Sequence, residues 1–395
     1  MSKQPVGIGE RVAERRKLNG FTQVQLAHRA HVSLSLVRKV EQGRAPASPA
    51  FTAAVATALR TTVAELYDQP SLRYGAERDH IAEVETAVME GSAASVTAYR
   101  PPDLDVLAAR VDEIAKLQRR SRYHESSALM PSLLVELHTA AALAPVGAHS
   151  ERAHHLLATL YGCVVICLHR LGSPLVSQAA DRAAEAARFS GDPLLAALCD
   201  HERALPLMYR GAYDTALRIV TRAQQSIADQ PASPEALSAR GAMHLRSAII
   251  AARKHNAATS AAHLAEAQDL AAHLPLHANF YDTAFCTPNV QIHSVAAAVE
   301  MQDGTTAVTR DASNPLPPGM MHFRVAHHNI DLGRAWLLHG DHPKALEALN
   351  TARRAAPQQT RYHPMVAETV LTLARAERRR SDTLSSFAAW MGITG

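Results

Sequence analysis

A chain of 395 residues is long enough for two or three domains, and 47% hydrophobic with 20% charged residues is the composition of an ordinary globular protein. Only 5% of residues are aromatic, so packing falls to Ala, Leu and Val, a mixture that favours helix and excludes an all-β fold. The net charge of +4 is unevenly spread: residues 1–68 hold ten Lys and Arg against five Asp and Glu, and the rest of the chain is close to neutral.

A localised positive face on so short a segment attracts polyanions, nucleic acid first among them. The longest strongly apolar run, residues 163–168, falls far short of the roughly 20 residues of a bilayer span. Residues 1–10 lack the charged-then-apolar layout of a secretory signal, so a cytoplasmic protein without a membrane helix is expected. Cys163 and Cys167 lie one helical turn apart in an apolar setting, with Cys199 and Cys286 distant, which points to reduced core thiols.

In chain order, residues 8–19 place Ile8, Val12 and Leu18 among charges, and Gly20 stands where a left-handed cap would end a helix. Thr22 can cap a second helix over 23–30, with Val24, Leu26 and Ala27 turned inward. Ser33 can cap a third that runs to about Val40. Shorter helices are expected over 49–59 and 63–67. A helix, a tight turn and a second helix is the arrangement that seats one helix in the DNA major groove. Val37 and Val40 would face the core, leaving Leu34, Ser35, Arg38, Lys39 and Gln42 opposite. Arg38 and Lys39 can donate to guanine and Ser35 can serve either strand. Leu34 can meet a thymine methyl or serve as a partly buried packing residue.

Ile8-Gly9-Glu10-Arg11-Val12, Gly20-Phe21-Thr22-Gln23, Leu26-Ala27, Val32-Ser33 and Val40-Glu41-Gln42-Gly43 resemble the Xre/Cro-like helix-turn-helix family over residues 8–67. The resemblance implies a five-helix lambda-repressor-like DNA-binding domain over 1–68. Ser33 then opens the reading helix, Gln23 and Arg44 lie at backbone phosphates, and Arg16 pairs internally with Glu41 while sharing a phosphate. His31 stands where that family carries Gly, so it should hold a left-handed backbone.

Residues 68–75 read as a linker, within a connecting segment over 69–104 that includes a helix at 77–90. A helix over 103–120 carries Leu104, Leu107, Val111 and Ile114 as a stripe that is either core or a dimer seam. Beyond it, turns recur at Gly172-Ser173-Pro174, Gly211-Ala212-Tyr213, His255-Asn256, Asp303-Gly304 and Gly340-Asp341-His342-Pro343. Their spacing of about 36 to 48 residues is near that of helix-hairpin solenoids. Gly211-x-Tyr213-x-x-Ala216 and Gly340 with Ala345 resemble tetratricopeptide repeats. The expected fold is therefore all-α, a helix-turn-helix head followed by a tetratricopeptide-like effector and dimerisation domain over 105–395.

The pairing of head and body resembles cytoplasmic Xre-type regulators with tetratricopeptide-like effector domains, including a peptide-sensing group. Scarce Lys, abundant Arg and Ala, and residues 283–290 resemble actinobacterial members. This implies a dimeric regulator of transcription that binds a double-stranded DNA operator and answers to a small-molecule or peptide effector. Candidate effector residues on the first helices of successive hairpins are Arg240, His244, Asn289, His293 and Asn329, with Tyr281 and Phe285 as an apolar wall. Each singly could instead bond a neighbouring loop.

The 22 histidines include His154-His155, His327-His328 and His263, His273 and His277, but no metal-ligand spacing, so no metal or cofactor is expected. No phosphate loop or nucleophile elbow points to an enzyme. The alternative to a regulator is a protein-interaction scaffold with a secondary DNA-binding head.

Overall fold

A computed structural model describes residues 7–67, 77–94, 100–376 and 382–393, among which every regular element is a helix. The expected linker over 68–75 lies outside the described residues. The head comprises α1 (Ile8–Leu18), α2 (Gln23–Arg29), α3 (Leu34–Glu41), α4 (Pro49–Ala58) and α5 (Val63–Tyr67).

Its helix starts are written in the side chains that satisfy the first free N–H groups. Thr22 Oγ1 accepts from Gln25 N–H at 3.2 Å while the Gln25 side chain accepts from Thr22 N–H at 2.8 Å, a reciprocal cap. Ser33 and Ser48 each accept at 3.1 Å from Leu36 and Phe51 N–H, and Pro49 occupies the first turn of α4, where no N–H is needed. His31 holds the left-handed turn at φ +52°, as its place in the turn implies. Ile8, Val12, Leu26, Val37, Val40, Phe51 and Leu66 close the core. Val24 departs from its expected inward position and is 58% exposed, because the short α2 reaches the core through Leu26 and Ala27 alone.

The body continues with α6 (Glu77–Glu90), α7 (Leu104–Arg119), α8 (Tyr123–Leu143), α9 (Ala148–Leu171), α10 (Val176–Ala187), α11 (Pro193–Glu202) and α12 (Ala204–Tyr209). It goes on through α13 (Tyr213–Ser226), α14 (Pro234–Arg253), α15 (Ala257–Ala271), α16 (Thr287–Glu300), α17 (Gly304–Ser313), α18 (His322–His339), α19 (His342–Ala355), α20 (Pro357–Tyr362), α21 (Pro364–Ala376) and α22 (Asp382–Trp390). Consecutive helices pair as hairpins, and α7, α9, α11, α14, α16, α18 and α21 also pack in sequence on one another. That makes an inner layer, with α8, α10, α13, α15, α17 and α19 outside it. The expected turns separate these helices. Gly172 and Gly340 take left-handed caps, and Asn256, Asp303 and Asp341 each cap the helix that follows.

Small side chains let the layers approach: Ala179, Ala180, Ala183 and Ala184 of α10 are all buried. The stripe Leu104, Leu107, Val111 and Ile114 is buried in the core of its own chain, where α7 packs on α8 and α9, so it is core and not a dimer seam. Helix α9 is long and apolar enough to cross a membrane by length and composition alone, but it lies in the core of the body. His and Arg interrupt its 24 residues, and Leu157, Leu160, Tyr161, Val164 and Leu168 are buried.

The inner layer curls until its ends meet. The Gln358 side chain accepts from Tyr123 N–H at 2.6 Å, Tyr123 Oη donates to Gln359 Oε1 at 3.3 Å, and His124 Nε2 lies 2.8 Å from Tyr362 Oη. The head seats on the same end. Glu368 of α21 accepts from Ile8 and Ala47 N–H, Arg375 donates to Glu10 at 2.8 Å, and Tyr67 Oη lies 3.7 Å from Met365 Sδ. At the turn before α13, a Cβ on Gly211 would stand 2.8 Å from Ala53 Cβ, so a larger residue would push on the head.

Candidate nucleic-acid interface and interior cavity

Helix α3 carries a solvent face and a core face. Val37 and Val40 are buried, Ser35, Arg38, Lys39 and Gln42 are exposed, and Leu34 is half-buried against the head core. Ser33 and Arg44 are exposed at the two ends of the same helix. Contacts with the body run through α1, the turn after α3 at Gly43, α4 and the stretch before it, and α5, while the exposed residues of α3 itself stay clear of it.

Arg16 does not join that face. It is 9% exposed, and its guanidinium donates to Glu41 at 2.6 and 2.9 Å and to Phe21 O at 2.8 Å. The hydrogen bonds it donates to Glu41 hold its pKa up, and the pair fastens α1 to α3. The expected phosphate contact by Arg16 is thus replaced by a positioning role. Gln23 is half-buried and spends one N–H on Glu41 at 2.8 Å, which leaves the other at the start of α2.

The inner layer lines a cavity of about 650 Å3 that is partly open to solvent, a volume suited to a small organic molecule. Asn289 and His293 of α16 and Tyr281 line it, as expected of an inner surface. The structure does not bring the other four candidates there. Arg240 donates to the carbonyls of Ile227, Ala228 and Gln230 at 2.7 to 3.0 Å and so ties off the end of α13. His244 pairs with His263 of α15 at 3.1 Å. The Asn329 amide donates to Val325 O of its own helix at 2.8 Å. Phe285 is fully buried against Gly241, where an added Cβ would stand 1.9 Å from Cζ. On α14 the inward residues are Ala242, Leu245, Arg246, Ile249 and Arg253, so Arg240 and His244 sit on the wrong face by about half a turn.

The lining is more charged than the sequence suggested. Arg253 Nε donates to Glu300 Oε2 at 3.2 Å, and Arg334 Nη1 donates to Glu300 Oε1 at 3.1 Å and Asp331 Oδ1 at 3.0 Å, all with side chains at most 8% exposed. Burial opposes the Glu300 charge, but the two arginines outweigh it and its pKa falls below the usual value. Asp331 goes the other way: burial raises it, and Arg334 offsets only part. Arg246 donates to Glu202 at 2.6 Å and to His201 Nε2 at 2.7 Å.

Burial, and then the neighbouring arginines, push His169 and His293 down to about 3 and hold His327 and His363 well below the usual value, so these imidazoles are neutral at physiological pH. The signal missed in the sequence is the polar stripe Arg324, His327, Asp331 and Arg334 on α18, set at helical spacing among buried Ala326, Ile330 and Ala335. Pro49 and Tyr67 of the head complete the wall. Among the described residues no group of three or more His, Cys, Asp or Glu side chains is placed to hold a metal ion.

Residues 8–68 match the family model described as a helix-turn-helix domain, so the head is a domain of that kind. No curated protein matches the chain. Among solved structures it is similar to the crystal structure of Bacillus thuringiensis PlcR in complex with the peptide PapR7 and DNA. That likeness is at 13% identity and a TM-score of 0.28, over 67% of this chain and 93% of that one.

Proposed function

We propose that this chain is a sequence-specific DNA-binding regulator of transcription, controlled by an effector bound in the cavity of its tetratricopeptide-like body. The observation that carries the reading is the α3 face. Ser35, Arg38, Lys39 and Gln42 are exposed together on the second helix of a helix-turn-helix domain, while the head is fastened to the body through other elements. Arg38 and Lys39 donate to base edges in the major groove; Arg44, Ser33 and the free N–H of Gln23 set the head on phosphates.

One head offers little buried surface. The regulator therefore works as a homodimer on two half-sites about 34 Å apart, and its place is the cytoplasm, where chromosomal DNA is. It is a binding protein, not an enzyme.

Control follows from the wall that head and body share. A ligand in the cavity touches Tyr67 and Pro49 as well as the inner helices, so its affinity differs between head positions, and only such a difference shifts their balance.

The test is a gel shift with duplexes selected from a random pool. Arg38→Ala with Lys39→Ala should lose selected-site affinity by about 100-fold or more at unchanged melting temperature, since each good base contact is worth about 1–3 kcal/mol. Unchanged affinity in the folded double variant would remove α3 as the reading helix.

A further inference from the structure

Six arginines but four carboxylates line the cavity. Arg119 pairs with Asp282, Arg246 with Glu202, and Arg253 and Arg334 share Glu300 and Asp331. Arg170 and Arg324 remain, and among the described residues neither forms an ion pair. Arg324 is 91% buried by its relative exposure of 9%, and the Nε atoms of both arginines are buried without a hydrogen-bond partner. The two guanidiniums also repel one another: burial, and then the charge of Arg170, hold Arg324 down to about 10.

A buried cation with too little counter-charge is costly: Asp331, already paired with Arg334, offsets only part of the Arg324 charge, and the histidines beside these two arginines are neutral and supply none. A cationic ligand would add to the imbalance. A bound oxyanion removes it, because a guanidinium presents paired N–H donors that match carboxylate or phosphate oxygens. Two further features shape the occupant. Asn289 is 2% exposed and its Oδ1 has no donor, so it suits a hydroxyl or N–H beside the anionic group. Leu195, Leu198 and Leu205 give the same cavity an apolar wall.

We propose that the cavity binds a small organic oxyanion, its carboxylate or phosphate held by Arg170 and Arg324 and its apolar body against the leucine wall. This rests on the cavity being the effector site of the proposed regulator, and it names the class of effector.

The experiment is calorimetric titration of the full chain, without DNA, using octanoate, octyl phosphate, 1-octanol and octylamine, which share one apolar body. At least one anion should bind about tenfold or more tighter than the alcohol and the amine, the scale of a charge-assisted hydrogen bond. The tighter anion tells carboxylate from phosphate. Arg324→Gln should lose that preference and keep the melting temperature of the free protein, because it removes a charge that is only partly compensated; Arg170→Gln serves as a second variant if the first does not fold.

The proposal is overturned if neither anion binds, if octanol or octylamine binds as tightly, or if the anion preference survives in the folded glutamine variants. No DNA enters this measurement, so its failure leaves the reading of the head intact, and loss of operator discrimination leaves the anion site intact.

Discussion

The Glu368 carboxylate accepts from Ala47 N–H at 3.3 Å, joining residues 321 positions apart, and its second oxygen accepts from Ile8 N–H at 3.4 Å. A buried acid on α21 thereby holds the head by two backbone groups. Burial raises its pKa, and the bonds from Ala47 and Ile8 and the charges of Arg375 and Arg11 offset only part. In the docked state the group therefore keeps its proton at a pH where it would lose it once exposed. Its contribution is fully present below the ordinary glutamate value and lost as pH rises through the raised one. Melting temperatures of the wild type and Glu368→Gln, compared from about pH 4 to about pH 8, should show the wild type losing ground to the variant as pH rises. A constant difference would contradict the shift.

The cavity histidines predict the opposite sign. His169 and His293 are pushed down to about 3, below the usual imidazole value, so the native body binds fewer protons than the unfolded chain between those limits. Stability from these groups is present above the unfolded value and is lost as pH falls toward the folded one, by up to about 1.4 kcal/mol per pH unit for each group. Calorimetric unfolding should show a lower melting temperature at about pH 5 than at about pH 7, and His293→Asn should reduce the slope.

What could be read from the sequence was local. Thr22, Ser33 and Gly340 announce helix ends through chemistry that acts within four residues, and Val37 and Val40 fix which side of α3 faces out. The cavity was not legible in the same way, because Arg170, Arg253, Asn289 and Arg324 come from four separate helices, and His363 from the turn between α20 and α21, which meet only when the inner layer closes. Periodicity says that Asn289 and Asn329 each lie on a helix face; it does not say that one face looks inward and the other onto its own backbone. Glu368 is a harder case, since a lone acid on an amphipathic helix reads as solvated until the head is laid over it.

Phe285 seals the junction of α14 and α16 by lying on Gly241, whose missing side chain makes room for the ring. Gly241→Ala should destabilise by about 1–3 kcal/mol through overpacking, and thermal denaturation would measure it. An unchanged melting temperature would mean that the ring has somewhere else to go.

Arg38 and Arg44 should separate under salt. Arg44→Ala should weaken selected and random duplexes alike and reduce the slope of log affinity against log salt by about 1, as expected for a phosphate contact. Arg38→Ala should flatten the preference among bases at one position. A salt-titrated binding assay with both variants distinguishes the two roles, and an Arg44 variant that changed base preference would move that residue onto the reading face.

The most direct measurement pits the full chain against a pool of random duplexes at physiological salt, with the enriched fragment then weighed against its scrambled counterpart. The account predicts enrichment of a two-fold related site bound about 1,000-fold or more tighter than the scrambled duplex. Equal binding of every fragment, with an affinity that merely falls as salt is added, would contradict it.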